Sequence, residues 1–295
     1  MSSLHVGDAV TVRFFMPSPQ LAPYISTYYL TEVRGEADVL VQDWLHPEWA
    51  NVRYALNPVW QAAIGSAPLS EPPQLIGTGP TCQAAHFRIG PSRIWGIGVL
   101  PLGWARLCSG DAAPFADRFV DGAQEPAFAA FADLPGLTFG DAPDPAAEAA
   151  RIDAHLLAQL ERRPVPEDEP RIRAAHAALL DTAVASVGDL AEQLSLSPRS
   201  LERLSLRAFG FSPKLLLRRQ RFLRSLAQFM LDPSLTWIRT LDWQYVDQAH
   251  FVRDFKRFMG MSPSTYAQLD HPVLRAAARA RAAAAGAAVQ ALHRP

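Results

Sequence analysis

The sequence predicts an α+β chain of two domains. A small N-terminal β-barrel or sandwich with flanking helices is followed by an all-α C-terminal domain. Three observations carry that expectation. Between Val10 and Ile97 the segments are short, β-leaning and punctuated by Pro and Gly. The stretch ERRPVPEDEPR at 161–171 is charged, holds three prolines and offers almost nothing to bury, so it reads as a semi-rigid linker. Beyond it, one 17-residue grammar occurs twice without a gap, as SPRSLERLSLRAFGFSP at 197–213 and DQAHFVRDFKRFMGMSP at 247–263.

In chain order, the expected strands are Val10–Phe15, Val39–Leu45, Asn51–Leu56, Trp60–Ile64, Gln74–Gly77, Ala84–Ile89 and Trp95–Val99. A helix is expected early, over Leu21–Tyr29, because Leu21, Tyr24, Ile25 and Tyr28 share a helical face. Pro101 can begin another, and after Asp117 the strand signal fades. Pro126–Ala132 and Pro145–Leu160 read as helices. The expected boundaries are 1–163 for an effector-sensing or dimerising domain, 164–170 for the linker, 171–270 for the helical domain and 271–295 for an exposed or disordered Ala/Arg-rich tail whose high helix propensity allows a helix at its start.

The helical half is read from caps and periodicity. Helices are expected at Arg171–Leu180 and Val187–Leu194. Ser195-Leu196 makes a tight turn, and Ser197 caps a helix that Pro198 begins. Helix, short turn and helix with inward apolar residues is the helix-turn-helix pattern. Pro213–Leu231 is a long connecting helix, ended by Asp232-Pro233. Leu235–Leu241 and Asp247–Met259 would form a second helix-turn-helix, and Pro263–Leu269 closes the fold. In the second copy Phe251, Phe255 and Phe258 form one apolar stripe, and Gly260 can take the left-handed conformation that ends a helix. Arg203 matches Arg253, Arg207 matches Arg257, and Gly210, Ser212 and Pro213 match Gly260, Ser262 and Pro263. A 19-residue helix spans about 28 Å, close to the ~34 Å between successive major-groove faces of B-DNA.

Charge divides along the same line. The net charge is −1, yet residues 1–170 hold 10 Lys/Arg against 20 Asp/Glu, and residues 171–270 hold 14 against 9. The tail from His271 adds four Arg and no acid. Only the second half is therefore suited to a polyanion. Hydrophobic content of 49% is ordinary for a globular chain. No window approaches a membrane span, and MSSLHVGDAV lacks a signal-peptide pattern. Cys82 and Cys108 are too few and too far apart for a disulfide framework or a CxxC metal site. A cytoplasmic location is expected, with no membrane partner, no metal and no cofactor.

Residues 171–270 resemble the DNA-binding domain of the AraC/XylS family of bacterial transcription regulators. The carrying motifs are DLAEQLSLSPRSLERL, the GFSP after it, and DQAHFVRDFKRFMGMSPSTY. The front half is also similar to β-rich N-terminal domains of some members, through LAPYISTYYL and GIGVLPLGWARL. The resemblance implies two helix-turn-helix units bridged by a helix, and double-stranded DNA as partner. It further implies a regulator that is no enzyme, with RNA polymerase, a small-molecule effector and a second copy as further partners. Matched positions give Arg199, Glu202 and Arg203 as base contacts in the first unit, and Gln248, Ala249, Val252 and Arg253 in the second. Arg can donate twice to guanine, Gln can pair with adenine, and small apolar groups can meet a thymine methyl. Arg207, Lys256, Arg257 and the arginines of the connecting helix, Arg218 first, suit phosphate. The competing reading for each is a solvated helix surface, and His250 is better placed to pair with Asp254 than to touch a base.

Two departures stand out. Ser205 and Leu206 occupy the places of Phe255 and Lys256, and LDWQYV before Asp247 lacks the family's turn glycine, with Trp243 and Tyr245 expected to plug a core. In the front half Trp44, Trp49, Tyr54, Trp60, Trp95 and Trp104 could line a pocket, though core packing is the ordinary role. His46 and His86 are not spaced as metal ligands, and Arg88 and Arg93 could hold an anion or pair with acids. The rival reading, from another class, is an alkyl-transfer DNA repair enzyme with Cys82 or Cys108 as acceptor. Neither cysteine lies in a nucleophile motif. A DNA-binding protein without a ligand is the third.

Overall fold

The computed structural model describes residues 9–36, 39–56, 58–231, 241–242, 244–245 and 247–285. Among the described residues, nine strands form the N-terminal region: β1 Val10–Phe15, β2 Ile25–Val33, β3 Val41–Leu45, β4 Ala50–Ala55, β5 Trp60–Ile64, β6 Leu75–Thr78, β7 Ala85–Ile89, β8 Ser92–Val99 and β9 Phe119–Asp121. They make a six-stranded sheet, β1-β2-β8-β4-β6-β9, and a three-stranded one, β3-β7-β5, with antiparallel pairing throughout. The two sheets do not close into a barrel, so of the two expected forms it is the open pair of sheets that the chain adopts.

Register decides which side chains meet. Leu30, Trp95 and Tyr54 lie in one row across β2, β8 and β4, and Tyr28, Ile97 and Val52 in another. All six are buried and face the helices α1 Pro101–Leu107, α2 Leu134–Thr138 and α3 Pro145–Glu161. The Tyr28 hydroxyl donates to Asp153 (2.9 Å) and the Trp95 indole to Glu148 (2.7 Å), so the polar atoms of this core are paired. The alternate row, Phe14, Tyr29, Gly96 and Arg53, faces the opposite side. A side chain at Gly96 would collide with the Tyr29 ring, so the glycine is what lets that ring lie across β8.

The helix expected over Leu21–Tyr29 is not formed. Ala22, Tyr24 and Ile25 make a single turn of backbone bonds to Ser18 and Leu21, and the chain then enters β2. Ile25–Val33 is rich in β-branched and aromatic residues and lies inside the sheet, almost continuously buried. Its apolar run mimicked helical spacing because both faces of the strand are covered. The segments at 126–132 and 145–160 are helical as expected, the first as a 3₁₀ turn over Pro126–Phe131. The short strand β9 falls where the strand signal had faded.

The helical region comprises α4 Glu169–Leu180, α5 Val187–Gln193, α6 Pro198–Phe209, α7 Pro213–Leu231, α8 Gln248–Met259 and α9 Pro263–Ala267. The expected helix Leu235–Leu241 lies largely outside the described residues. One apolar cluster runs from Leu21 through Trp49, Trp104 and Phe209 to Phe255 and Tyr266, joining the β-rich and helical regions. From Pro272 the tail is a helix, α10 Pro272–Ala285, as its propensity allowed, but it is packed on β1 and β3 rather than exposed or disordered. Its stripe is inconspicuous in sequence because Val273 and Ala277 carry it, with small alanines between. Asp43, wholly buried, caps its start by accepting from the amides of Val273 (3.0 Å) and Leu274 (2.9 Å). Residues 286–295 lie outside the described part.

Candidate nucleic-acid interface

The two repeated helices are built alike. Ser197 caps α6 by accepting from the Ser200 amide (3.2 Å), and Asp247 caps α8 by accepting from that of His250 (2.6 Å). Gly210 (φ 80°) and Gly260 (φ 73°) end them in the left-handed conformation. In the first unit, Ser186 and Asp189 form a reciprocal cap on α5, and Ser195 takes φ 52° in the turn. In the second, Asp242 organises the approach to α8. Its carboxylate accepts from the Gln244 amide (2.9 Å) and from Arg224 (2.5 Å).

Each helix has a buried and an exposed face. Leu201, Leu204, Ser205, Ala208 and Phe209 point inward from α6, and Phe251, Asp254, Phe255, Phe258 and Met259 from α8. Arg199, Glu202, Arg203 and Arg207 are exposed on α6. Gln248, Ala249, Arg253, Lys256 and Arg257 are exposed on α8, with Val252 half-buried among them. The candidate base contacts thus stand on the outer faces of both helices, with Arg203 and Arg253 at equivalent positions.

Two phosphate candidates are engaged elsewhere. Arg207 forms an ion pair with Asp168 at the start of α4. Arg218 pairs with Asp254, a fully buried carboxylate in the apolar stripe of α8. Around the same carboxylate lie Arg221 (3.6 Å), the Tyr245 hydroxyl (3.2 Å) and His250 (3.8 Å). The Tyr245 ring packs beneath Arg221 and against Phe251, and Trp243 lies outside the described residues. Asp254 replaces Leu204 of the first unit. An acid inside a phenylalanine stripe was the sequence signal for this hub. His250 takes the pairing role expected of it.

Arg219 departs furthest from a surface role. It is wholly buried, with Nη1 donating to the backbone oxygens of Glu48 (3.2 Å) and Thr81 (2.9 Å), and its guanidinium lies 3.8 Å from the centre of the Trp49 ring. Burial holds its pKa below the ordinary arginine value. It pins α7 to the β-rich region. Each repeated helix is also held at its carboxyl end, since the Ala112 amide donates to Arg207 O (2.8 Å) and the Ala84 amide to Phe258 O (2.7 Å). At the first of these contacts a side chain on Gly210 would press on Pro80 and Ala112. Trp49 meets Phe209 and His176 edge-on beside it.

The aromatic residues of the front region mostly pack. Trp49, Tyr54, Trp60, Trp95 and Trp104 are buried, and Trp44 stacks on His86 at 4.6 Å. His46 bonds the Tyr266 hydroxyl (2.7 Å). Arg93 pairs with Glu148 and Glu32, and Arg88 donates to Gln42. Among the described residues no group of His, Cys, Asp and Glu could hold a metal ion. Cys82 and Cys108 are both buried; burial pushes the Cys82 thiol up to about 12 and the Cys108 thiol up as well, the reverse of what a nucleophile needs. A cavity of about 130 Å³ opens beneath α10, on the face of the large sheet that carries Tyr29, Asn51 and Arg53.

Residues 190–268 match the family model of a helix-turn-helix domain, within the span where the motifs resemble the AraC/XylS DNA-binding domain. No match is found among curated protein sequences. Among solved structures the chain is similar to ToxT from Vibrio cholerae, at TM-score 0.44 and 10% identity over 88% of this chain and 97% of that one. It is similar also to ToxT bound to (E)-4-(8-methylnaphthalen-1-yl)but-3-enoic acid, at TM-score 0.42 and 10% identity over the same shares. The AraC-like transcriptional activator CuxR gives TM-score 0.21 and 14% identity, over 76% of this chain and 89% of that one. No described helix is long and apolar enough to cross a membrane.

Proposed function

We propose that the chain is a sequence-specific DNA-binding transcription regulator of the AraC/XylS type, modulated by a small molecule held in its β-rich region. The observation that carries this reading is the pair of equivalent helices, α6 and α8, each with a side-chain N-cap and a left-handed glycine C-cap, inside the matched helix-turn-helix span. Each presents an arginine at the same outward position. Arg199, Glu202 and Arg203 read one half-site, and Gln248, Ala249, Val252 and Arg253 the other. Lys256 and Arg257 take phosphate, and Arg207 and Arg218 do so only after exchanging their carboxylate partners. The two heads sit on successive turns of one duplex face, bridged by α7. A homodimer, a contact with RNA polymerase and a cytoplasmic location belong to the same reading.

Modulation works through equilibrium coupling, because a ligand shifts the protein only toward the arrangement it binds better. The cavity wall supplies the path: Glu48 and Trp49 line it and also receive Arg219 from α7.

The test is a footprint of the purified full chain on DNA flanking its own gene. A protected segment of two half-sites, with affinity at least about a thousandfold above bulk duplex, is expected. Equal binding to all duplexes would sink the reading.

A further inference from the structure

The cavity under α10 is not lined evenly. Its apolar wall comes from Val12, Phe14, Leu45 and, from the tail helix, Val273 and Ala277. Its charged groups are Glu48, Arg53 and Arg281. Glu48 and Arg53 are already paired with one another at 2.6 Å. The remaining cation, Arg281, projects from the last described turns of α10 and rests against the Phe14 ring, 4.6 Å from its centre. Its Nε is buried with no hydrogen-bond partner, and no ion pair is formed with it among the described residues. Burial pulls its pKa down to about 10, the direction expected of a cation removed from water without a counter-charge. A guanidinium with no ion pair among the described residues, its buried Nε unbonded, beside an apolar hollow is an unsatisfied site.

We infer that Arg281 is the anion-binding residue of an effector site that α10 closes, and that the site takes a small monocarboxylate with an apolar body. The inference rests on the ligand-modulated reading above and names the ligand class for it. A carboxylate answers the fork geometry of a guanidinium with two parallel bonds. A hollow of about 150 Å³ lined by apolar side chains accommodates a benzene ring, so 130 Å³ suits a ring or a short chain and excludes long acyl chains. The net charge of the lining, one cation in excess, is neutralised by one carboxylate.

The placement of the arginine has a regulatory consequence. It sits beyond the helix-turn-helix units in the chain, while the rest of the pocket belongs to the β-rich region. A bound acid therefore bridges the two ends of the sequence and strengthens the seat of α10, whose first turn Asp43 already holds. Occupancy stabilises the arrangement in which the tail is docked.

The experiment is calorimetric titration of the full chain with benzoate and hexanoate, each against its uncharged amide. Each acid is expected to bind about tenfold or more tightly than its amide. Arg281→Met should abolish that preference, bringing the acids down to the affinity of their amides in the same variant, and Arg281→Lys should retain part of it. Thermal unfolding of both variants verifies that they fold, which loss of an unpaired buried charge does not oppose. Acid and amide binding alike, Arg281→Met binding the acids as the parent does, or no binding of either acid would each overturn the inference. A chain that footprints its operator yet binds no acid overturns the inference alone. A chain that binds acids through Arg281 yet shows no specific DNA overturns the regulator reading alone.

Discussion

Arg203 and Arg253 occupy one place in two copies of the same helix, and among the described residues neither forms an internal ion pair like those of Arg207 and Arg218. A bidentate contact to guanine gives such a residue its discriminating power. Arg253→Ala is expected to weaken specific binding by about 1–3 kcal/mol and to relax preference at one position, measured by competition footprinting on single-base operator variants. Lys256→Ala provides the contrast, with a uniform loss across sequences and a salt slope shallower by about one. An unchanged footprint in Arg253→Ala would remove it from the interface. These outward residues were legible because a repeat marks equivalent positions without any knowledge of contacts. Arg219 was not, and Asp254 was legible only in its pairing with His250, because the other partners lie elsewhere in the chain: Arg219 reaches carbonyls at Glu48 and Thr81, and Asp254 collects groups from α7 and the turn before α8. Helical periodicity on α7 shows four arginines and says nothing of which one is swallowed.

At the scale of elements, the large sheet holds a charged ladder in an otherwise apolar setting. Glu32 on β2 is flanked by Arg13 on β1 and Arg93 on β8, and Arg93 also reaches Glu148 on α3. Burial alone would raise the Glu32 pKa, but the bonds from Arg13 and Arg93 outweigh it and hold the carboxyl below its ordinary 4.5. A depressed carboxyl contributes stability that is present above the unfolded value and is lost as pH falls through the folded one. Denaturant midpoints are therefore expected to drop as pH falls below about 4.5, and Glu32→Gln, already weaker at neutral pH, should flatten that part of the profile. A parallel acid decline in Glu32→Gln would assign the effect to other carboxyls. The strands themselves were legible from short β-leaning runs between prolines and glycines, most to within two residues. Ile25–Val33 was not, since burial on both faces erases the alternation that identifies a strand. For α10 the helix propensity was legible but its docking was not, because its buried stripe is only Val273 and Ala277, which carry little contrast.

Taken whole, the molecule has no apolar boundary between its halves. The proline-rich stretch at 161–171 was read as a spacer, yet Asp168 within it binds Arg207, and a single apolar cluster crosses the junction. Arg219 is the polar pin of that junction. Arg219→Ala removes two bonds to carbonyls and the contact with Trp49, leaves a void and strands the acceptors. A loss of about 2–4 kcal/mol is expected, together with faster proteolysis at 162–168, read by denaturant unfolding and limited digestion. A midpoint and digestion rate equal to those of the parent would show that the pin carries no strength.

The bonds from Ala112 to Arg207 and from Ala84 to Phe258 bear on how DNA would be found. Two heads on a slack tether raise each other's local concentration over a broad range of separations, whereas two heads fastened to one body do so at a single separation and almost nowhere else. A chain that keeps both bonds while bound measures distance as well as sequence. Half-sites with the correct bases but the wrong phase around the duplex would engage one head at a time, with only the affinity of that head.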